Sequence, residues 1–253
     1  MIDTHAHLYL EQFDDDRAEV MDRAQTAGVQ QILLPNIDSK TVAAMHALVS
    51  AYPDRCKAMM GLHPCSVDKD VDRELVVVEQ HLSQRPYVAV GEIGLDYYWD
   101  KTHIEEQKEA FRVQTKWAHS LALPIVIHSR DSIDDILEEL EKLALPGLRG
   151  VFHCFTGDTT QIQRILDLSF LMGIGGVLTF KNGGLDKVAP SIPLNSIVLE
   201  TDAPYLTPHP YRGKRNESSY VALVAEKLAD ILAMQLEEVA QITTRNAKDL
   251  FTC

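Results

Sequence analysis

The chain has 253 residues, of which 45% are hydrophobic and 24% are charged. This composition is typical of a globular protein and excludes a disordered, collagen-like or low-complexity chain. The 24 lysines and arginines against 37 aspartates and glutamates give a net charge of −13, which excludes a bulk attraction to phosphate backbones or anionic lipid. A nucleic-acid role would therefore need a local basic patch or bound metal cations.

The chain shows no targeting or disulfide pattern. No apolar run approaches the roughly 20 residues needed to span a bilayer, and residues 1–5 have neither the basic nor the apolar region of a signal peptide. Cys56, Cys65, Cys154 and Cys253 include no close pair, so neither a disulfide framework nor a Cys-x-x-Cys site is indicated. We therefore expect a cytoplasmic protein without a membrane span.

Short apolar segments alternate with longer segments of helical spacing along the whole chain. Ile125–Ile127 and Ile197–Leu199 are apolar on consecutive residues, as expected of strands that are buried on both faces of a parallel sheet. In chain order, the predicted strands are Ile2–His7, Gln30–Pro35, Cys56–Leu62, Tyr87–Ile93, Pro124–His128, Arg149–Phe155, Phe170–Gly175 and Ser196–Thr201.

Apolar residues at helical spacing predict helices between these strands. The clearest stretches are Phe111–Leu121, Val221–Leu232 and Val239–Leu250. Asp14–Asp16 and Ser129–Asp131 are expected to begin two further helices, because such side chains cap helix N-termini.

Eight strands with intervening helices and no linker predict a single domain over residues 1–253. The expected fold is of the α/β class, a (β/α)8 TIM barrel. An open doubly wound sheet is the alternative. In a barrel, the carboxyl ends of the strands form one face, where active sites are assembled from several strands.

Side chains that can bind metal recur at the carboxyl ends of the predicted strands. His5 and His7 are two residues apart, so on a strand both point to the same face. Four histidines and two carboxylates exceed the three protein ligands of a catalytic zinc, but they fit two divalent ions that share a carboxylate. Zinc, manganese or iron suits such ligands and magnesium prefers more oxygen, so the metal stays open. The candidate ligands are His5, His7, Glu92, His128, His153 and Asp202.

Three further residues lie next to these candidates. His63 follows the third strand and could be a ligand, a general acid, a phosphate contact or a structural residue. Arg130, two residues after His128, cannot bind a metal, but its guanidinium suits a substrate phosphate or carboxylate. A helix cap or an ion pair is the alternative for Arg130. Glu200, two residues before Asp202, follows an apolar strand, where a carboxylate is costly unless it is paired or bound to metal.

The segment 204–216 is the one basic stretch in this acidic chain. It contains two tyrosines, Tyr205 among them, together with Arg212, Lys214 and Arg215. Aromatic rings can stack on bases while cations hold phosphates, so these residues are candidates for binding a single-stranded nucleic acid. A loop whose cations pair with surface carboxylates is the alternative.

Seven short motifs follow one another between residues 3 and 216. Together they resemble the TatD family of metal-dependent hydrolases, often described as deoxyribonucleases, within the amidohydrolase-like metal barrels. No ligand position is missing, and the resemblance covers essentially the whole chain. The motifs are Asp3–His7, Gly61–Pro64, Gly91–Tyr98, His128–Arg130, His153–Gly157, Glu200–Leu206 and Arg212–Asn216.

The resemblance implies a TIM barrel with two metal ions. It also implies that His63 and Arg130 contact the scissile phosphate and that Glu200 orients a ligand or water. The two ion sites implied are His5, His7 and Asp202 for one ion and His128 and His153 for the other, with Glu92 bridging them.

The predicted activity is hydrolysis of DNA phosphodiesters, one form of which is 3′–5′ exonuclease action on single strands. Glu92, Asp202, His63 and Arg130 are the expected catalytic residues. An alternative on the same metals is hydrolysis of a small ester, lactone or amide, or removal of a mischarged D-aminoacyl group from tRNA. The net charge of −13 favours that alternative somewhat. A metal-storing protein is a third reading. The expected partner is DNA, without a membrane, and the oligomeric state stays open.

Overall fold

Eight parallel strands follow one another in chain order around a cylinder. The structure is a computed structural model and describes residues 1–252. Strands β1–β3 form one parallel sheet and β4–β8 form another. The strands are β1 (Ile2–Asp3), β2 (Gln31–Pro35), β3 (Cys56–Met59), β4 (Val90–Asp96), β5 (Ile125–Arg130), β6 (Gly150–Phe152), β7 (Leu171–Ile174) and β8 (Ile197–Leu199).

Two single bridges close the cylinder. Met60 pairs with Val90 between β3 and β4, and Ala6 pairs with Ala203 beyond the ends of β1 and β8. All pairings are parallel, so the strand order runs from β1 to β8 and returns to β1. The predicted (β/α)8 barrel is confirmed, and the open doubly wound sheet is excluded, because an open sheet would leave β1 and β8 apart.

The helices surround the strands, and the last one lies at an end of the barrel. The stretches predicted from apolar spacing lie in α4, α8 and α9, as expected. The helices are α1 (Arg17–Thr26), α2 (Val42–Ala51), α3 (Val71–Gln84), α4 (Ile104–Ser120), α5 (Ile133–Leu143), α6 (Thr159–Asp167), α7 (Leu185–Val188), α8 (Val221–Leu232) and α9 (Leu236–Phe251). Within residues 1–252, none of these helices has the length and apolar character that crossing a membrane requires.

The prediction that Ser129–Asp131 begins a helix is wrong. Ser129 and Arg130 pair with β4, which extends strand β5 to Arg130, and α5 begins only at Ile133. Tertiary pairing with β4 therefore overrides the local capping preference. The second prediction of this kind is right in position, because α1 begins directly after Asp16. The side chain of Asp16, however, accepts hydrogen bonds from Arg23 and Arg215 instead of capping the helix.

Two separate apolar cores hold the barrel. The larger core lies between the outer faces of the strands and the helices that cover them. The smaller core fills the barrel, where apolar residues of the strands pack together with residues of α9. Helix α9 therefore closes the amino end and leaves the carboxyl end open. The inner core consists of Ile2, Leu33, Met59, Ala89, Val126, Val151 and Val198, with Ala247, Leu250 and Phe251 from α9.

Gly94 allows β4 and β5 to approach where the candidate ligands lie. Its φ is +147°, and a Cβ there would overlap the carbonyl oxygen of His128. We expect Gly94→Ala to lower the free energy of unfolding by about 3 kcal/mol or more, because backbone must move. Gly147→Ala is the matched control, since its φ is +78° with no atom within 4 Å of the added Cβ. Gly147→Ala should lower the free energy of unfolding by only about 1 kcal/mol. Equal losses in urea denaturation would contradict the steric explanation.

Candidate metal centre

A cavity of about 810 Å³ opens at the carboxyl end of the barrel. Five of the six candidate ligands line it, and the sixth, His5, is fully buried beneath them. The cavity also brings in His63, Arg130, Tyr205 and Arg212, which the sequence placed near the site. Residues from most of the barrel strands therefore meet at one face. The five candidate ligands on the cavity surface are His7, Glu92, His128, His153 and Asp202.

The carboxylate of Glu92 lies at the centre of this group and is only 2% exposed. Burial would raise its pKa, but the nearby histidines, His5 and His63 foremost, outweigh burial and hold the pKa well below its usual range. Glu92 is therefore an anion that several imidazoles share. The ring nitrogens lie 3.1 Å (His5 Nε2) and 3.6 Å (His7 Nε2) from Oε2, and 3.5 Å (His63 Nε2), 2.9 Å (His128 Nδ1) and 3.8 Å (His153 Nε2) from Oε1.

Asp202 faces the same histidines from the opposite side. Its Oδ1 lies 3.6 Å from His7 Nε2 and 3.9 Å from both His5 Nε2 and His153 Nε2. The rings of His5 and His153 stack with centroids 3.5 Å apart. The side chains thus group His153 with His5 and Asp202, while His128 gathers with His63 and Glu92. The resemblance instead pairs His128 with His153 on one ion.

Tyr9 sets the tautomer of His7, a role that the sequence reasoning missed. The Tyr9 hydroxyl donates to the carbonyl of Pro35, so it accepts a hydrogen bond from His7 Nδ1 at 2.9 Å. The proton on Nδ1 leaves the lone pair of Nε2 directed at Glu92 and Asp202, as a metal ligand requires. The signal was present in the spacing, because Tyr9 follows His7 by two residues.

Glu200 supports His153 from below. The added Cβ of an alanine at Gly173 would overlap the Glu200 carboxylate, so this glycine makes the space that the carboxylate occupies. Glu200 Oε1 accepts from the backbone of Cys154 at 2.6 Å and lies 2.9 Å from His153 Nδ1. That second contact is poorly aligned for a hydrogen bond, so it is mainly electrostatic. Burial lowers the pKa of His153, but the charges of Glu200, Glu92 and Asp202 outweigh it and raise the pKa to about 10.

Asp96 supports His128 in the same way and was also missed. Its Oδ2 accepts from His128 Nε2 at 2.8 Å, so His128 lies between two carboxylates. Its Oδ1 accepts from the backbone of Tyr98 and Trp99. The strand predicted from the sequence ends at Ile93, so Asp96 lies beyond the predicted strand end. The observed strand continues to Asp96, with a register shift between Val90 and Ile93.

In His63 the ring hydrogen points into the cavity, whereas that of His7 points away from the candidate ligands. Its Nδ1 accepts from the backbone N–H of Cys65 at 3.0 Å, so the ring hydrogen lies on Nε2. Nε2 points at Glu92 Oε1, 3.5 Å away, on the surface of the cavity. This geometry makes His63 a hydrogen-bond donor to the cavity and disfavours it as a metal ligand through Nε2.

Asp3 fastens the seam at which the barrel closes. Its carboxylate accepts from the backbone N–H and the hydroxyl of Thr201, at 2.9 and 2.7 Å. The backbone of Asp202 donates to the carbonyl of His5 at 2.8 Å. These bonds hold His5 against Asp202, although 197 positions separate them in the chain. Asp3 is the third supporting residue that the sequence reasoning left without a role.

The cations of the segment 204–216 separate into two kinds. Arg212 lines the cavity, with its guanidinium 3.7 Å from the Phe180 ring centroid, and Lys214 is exposed outside the lining. Arg215 instead donates to Asp16 at 2.7 Å and to the Gln12 carbonyl, so it ties the segment to the start of α1. The ion-pair alternative therefore describes Arg215, which the structure does not bring to the cavity.

The ligand set fits divalent ions. Ligand atoms about 2.1 Å from one tetrahedral ion lie about 3.4 Å from one another. The Nε2 atoms of His5 and His7 are 3.3 Å apart, and each lies 3.1–3.6 Å from Glu92 Oε2. Such spacing, with imidazole and carboxylate donors and a fixed His7 tautomer, is compatible with the coordination of a divalent ion.

Comparison with known proteins agrees with this chemistry. The model of the family described as "TatD related DNase" matches residues 2–252. The chain belongs to the TatD family of metal-dependent hydrolases. It is 41% identical to the uncharacterized metal-dependent hydrolase YabD of Bacillus subtilis, over 99% of this chain and 98% of that protein.

Two further TatD-family members are similar over their whole length. The 3′-5′ ssDNA/RNA exonuclease TatD of Pectobacterium atrosepticum is 32% identical, over 99% of both chains. The crystal structure of YjjV, a TatD homologue from Escherichia coli, superposes with a TM-score of 0.94 at 34% identity, over 100% of this chain and 98% of that one. The protein is thus a TatD-family hydrolase with a TIM-barrel fold.

Proton release on metal binding tests the electrostatics of the centre. The raised pKa of His153 stabilises the ion-free fold below pH about 6.5, and this stabilisation is lost as the pH rises toward 10. A cation must displace that proton, so zinc affinity should rise by up to about tenfold per pH unit between pH 6 and 8. Calorimetry in buffers of different ionisation heat counts the protons.

Glu200→Gln is the matched variant for this measurement. It keeps an oxygen for the Cys154 backbone but removes the charge that most raises the pKa of His153. We expect fewer protons to be released by this variant at pH 7. Zinc affinity that is independent of pH in the unmodified protein would contradict the assignment of His153 as a ligand.

Proposed function

We propose that this TatD-family hydrolase cleaves phosphodiester bonds of single-stranded DNA, starting from a strand end, with two divalent ions. The observation that carries the proposal is the ring of imidazoles around Glu92 at the base of a cavity whose rim bears Arg130. Anionic ligands and cations combined in one open site suit a phosphodiester. The exonuclease activity named for the Pectobacterium relative supports the same substrate.

The candidate ligands would hold two ions. As the family resemblance implies, His5, His7 and Asp202 would hold one ion, and His128 and His153 would hold the second, with Glu92 between the two groups. His153 Nε2 lies 3.8 Å from Glu92 Oε1 and 3.9 Å from Asp202 Oδ1, so its ring adjoins both groups. Bound divalent ions lower the pKa of a water molecule and neutralise charge on the phosphate.

Arg130 and His63 would bind the phosphate itself. Arg130 is exposed, with its guanidinium stacked 3.8 Å from the centroid of the Tyr98 ring, which leaves its N–H groups available to a phosphate. His63 Nε2 carries a hydrogen toward the cavity and would donate it to a phosphate or leaving oxygen. Both groups stabilise negative charge that grows during the reaction.

Asp202 would accept the proton of the attacking water. Burial and the charges of Glu92 and Glu200 raise its pKa to about 6, although His153 and His7 act in the opposite direction. A carboxylate with a raised pKa is a better proton acceptor near neutral pH than an ordinary surface aspartate. The side chain remains 16% exposed, so its Oδ1 can reach a water in the cavity.

Hydrolysis of a small ester, lactone or amide, or of a D-aminoacyl-tRNA, is the second candidate. The observation that favours it is the charge of −13, since long-range attraction of a polyanion is weak. The pairing of Arg215 with Asp16 further reduces the cations available at the cavity. The two candidates share the metal centre and differ in their dependence on the cations Arg212 and Lys214.

Cleavage of a 5′-labelled single-stranded oligonucleotide tests the first candidate. We expect cleavage with added Mn²⁺ or Zn²⁺, loss of it on chelation, and recovery when the ion is restored. His128→Ala should abolish turnover, and Arg130→Ala should lower kcat/KM by roughly 100-fold, because a donor to the transition state is lost. Cleavage that survives both chelation and His128→Ala would refute the proposal.

Neutralising Arg212, which lines the cavity, together with the nearby exposed Lys214 distinguishes the two candidates. In the double variant Arg212→Gln/Lys214→Gln, we expect oligonucleotide turnover to fall and its salt dependence to become shallower, since fewer phosphates are contacted. Turnover of p-nitrophenyl acetate should change little. Lys116→Gln, on the outer surface of α4, removes one positive charge away from the cavity and should leave both activities intact. Ester turnover without any oligonucleotide turnover would favour the second candidate.

A further inference from the structure

Two adjacent aromatic residues are exposed, one of them in the cavity lining, and neither takes part directly in the reaction described above. Trp99 is 68% exposed and Tyr98 is 53% exposed, which places them among the most exposed large hydrophobic side chains of the described chain. Trp99 lines the cavity that contains Glu92 and Arg130. Burying the exposed indole against a ligand would be favourable, because its apolar surface would leave water. Its position at the cavity therefore points to a ligand with a flat apolar surface.

The pair is held in place by its neighbours. Asp96 Oδ1 accepts from the backbone N–H groups of both residues, at 2.9 and 3.0 Å. The rings of Tyr98 and Trp99 meet edge to face, with centroids 5.0 Å apart and planes at 89°. The guanidinium of Arg130 covers Tyr98 at 3.8 Å. These contacts fix the direction of the indole while leaving most of its surface open.

Arg130 connects this aromatic pair to the chemistry. Its guanidinium carbon lies 5.6 Å from the centroid of the Trp99 ring, and it is the cation assigned above to the phosphate. Within a nucleotide, one sugar separates the base from the phosphate, so a strand whose phosphate contacts Arg130 has a base near the indole.

We propose that Trp99, positioned by Tyr98 and Asp96, is a stacking subsite for one unpaired base of the substrate. The inference rests on the proposed hydrolysis of single-stranded DNA and adds the element that selects single strands. A base within a duplex has both faces covered by its neighbours, whereas an unpaired base can stack on an aromatic side chain. Stacking does not read the identity of the base, so the subsite would accept all four bases.

A fluorescence titration tests the subsite without requiring cleavage. The chain has two tryptophans, and Trp117→Phe leaves Trp99 as the only reporter. Trp117 lies on α4 outside the cavity lining. With chelator present, a thymidine oligonucleotide should quench Trp99 emission in a saturable way. An abasic oligonucleotide of the same length carries the same phosphates without bases and should quench little.

Steady-state kinetics give the second measurement. Trp99→Ala should raise KM for the thymidine oligonucleotide roughly fivefold or more while kcat changes little, because base stacking is lost. Trp99→Phe, which keeps an aromatic face, should restore most of the affinity. On the abasic oligonucleotide, Trp99→Ala and the unmodified protein should have the same KM. Trp117→Phe is the matched control and should behave as the unmodified protein on both substrates.

The outcomes separate the two proposals. If the unmodified protein cleaves the oligonucleotide but Trp99→Ala has an unchanged KM, the stacking subsite is refuted and the proposed function stands. If neither oligonucleotide is cleaved, the proposed function fails, and the titration alone decides whether Trp99 binds a base. Equal quenching by the thymidine and abasic oligonucleotides would also refute the subsite, since phosphate contacts would then account for the binding.

Discussion

The site depends on keeping one buried carboxylate, Glu92, ionised. A buried anion is costly unless charges and hydrogen bonds compensate it, and here histidine rings from several strands provide that compensation. The cluster is not satisfied by this carboxylate alone, because His7, whose hydrogen is held on Nδ1, directs the lone pair of Nε2 at Glu92 and Asp202. A divalent ion resolves both problems at once, because it neutralises the carboxylates and accepts the lone pairs.

A layer of carboxylates and one phenol stands behind the histidines. Tyr9 fixes the tautomer of His7, Asp96 holds His128, and Glu200 holds His153. Asp3 acts on the backbone instead, by fastening the seam between the first and last strands. Each of these groups is buried, so each contributes orientation at the cost of desolvation, which makes the centre rigid before any ligand arrives.

The predictions from sequence succeeded where the signal was periodic or local. Apolar runs located all eight strands, and the position of histidines and carboxylates after those strands located the candidate cluster. They failed where pairing partners decided the outcome. Strand β5 continues through Ser129 because β4 pairs with it, and β4 continues to Asp96 through a register shift that no local pattern reveals. Asp96 was overlooked for that reason.

The sequence by itself determined the barrel and the chemical types of the side chains at the open end, since strand periodicity and residue identity are local properties. Only the tertiary structure decided which groups touch. Arg215 pairs with Asp16, whereas Arg212 lies at the cavity. His63 is a hydrogen-bond donor to the cavity because its Nδ1 accepts from the backbone N–H of Cys65. Distances, tautomers and ion pairs depend on residues far apart in the chain, and folding alone brings those together.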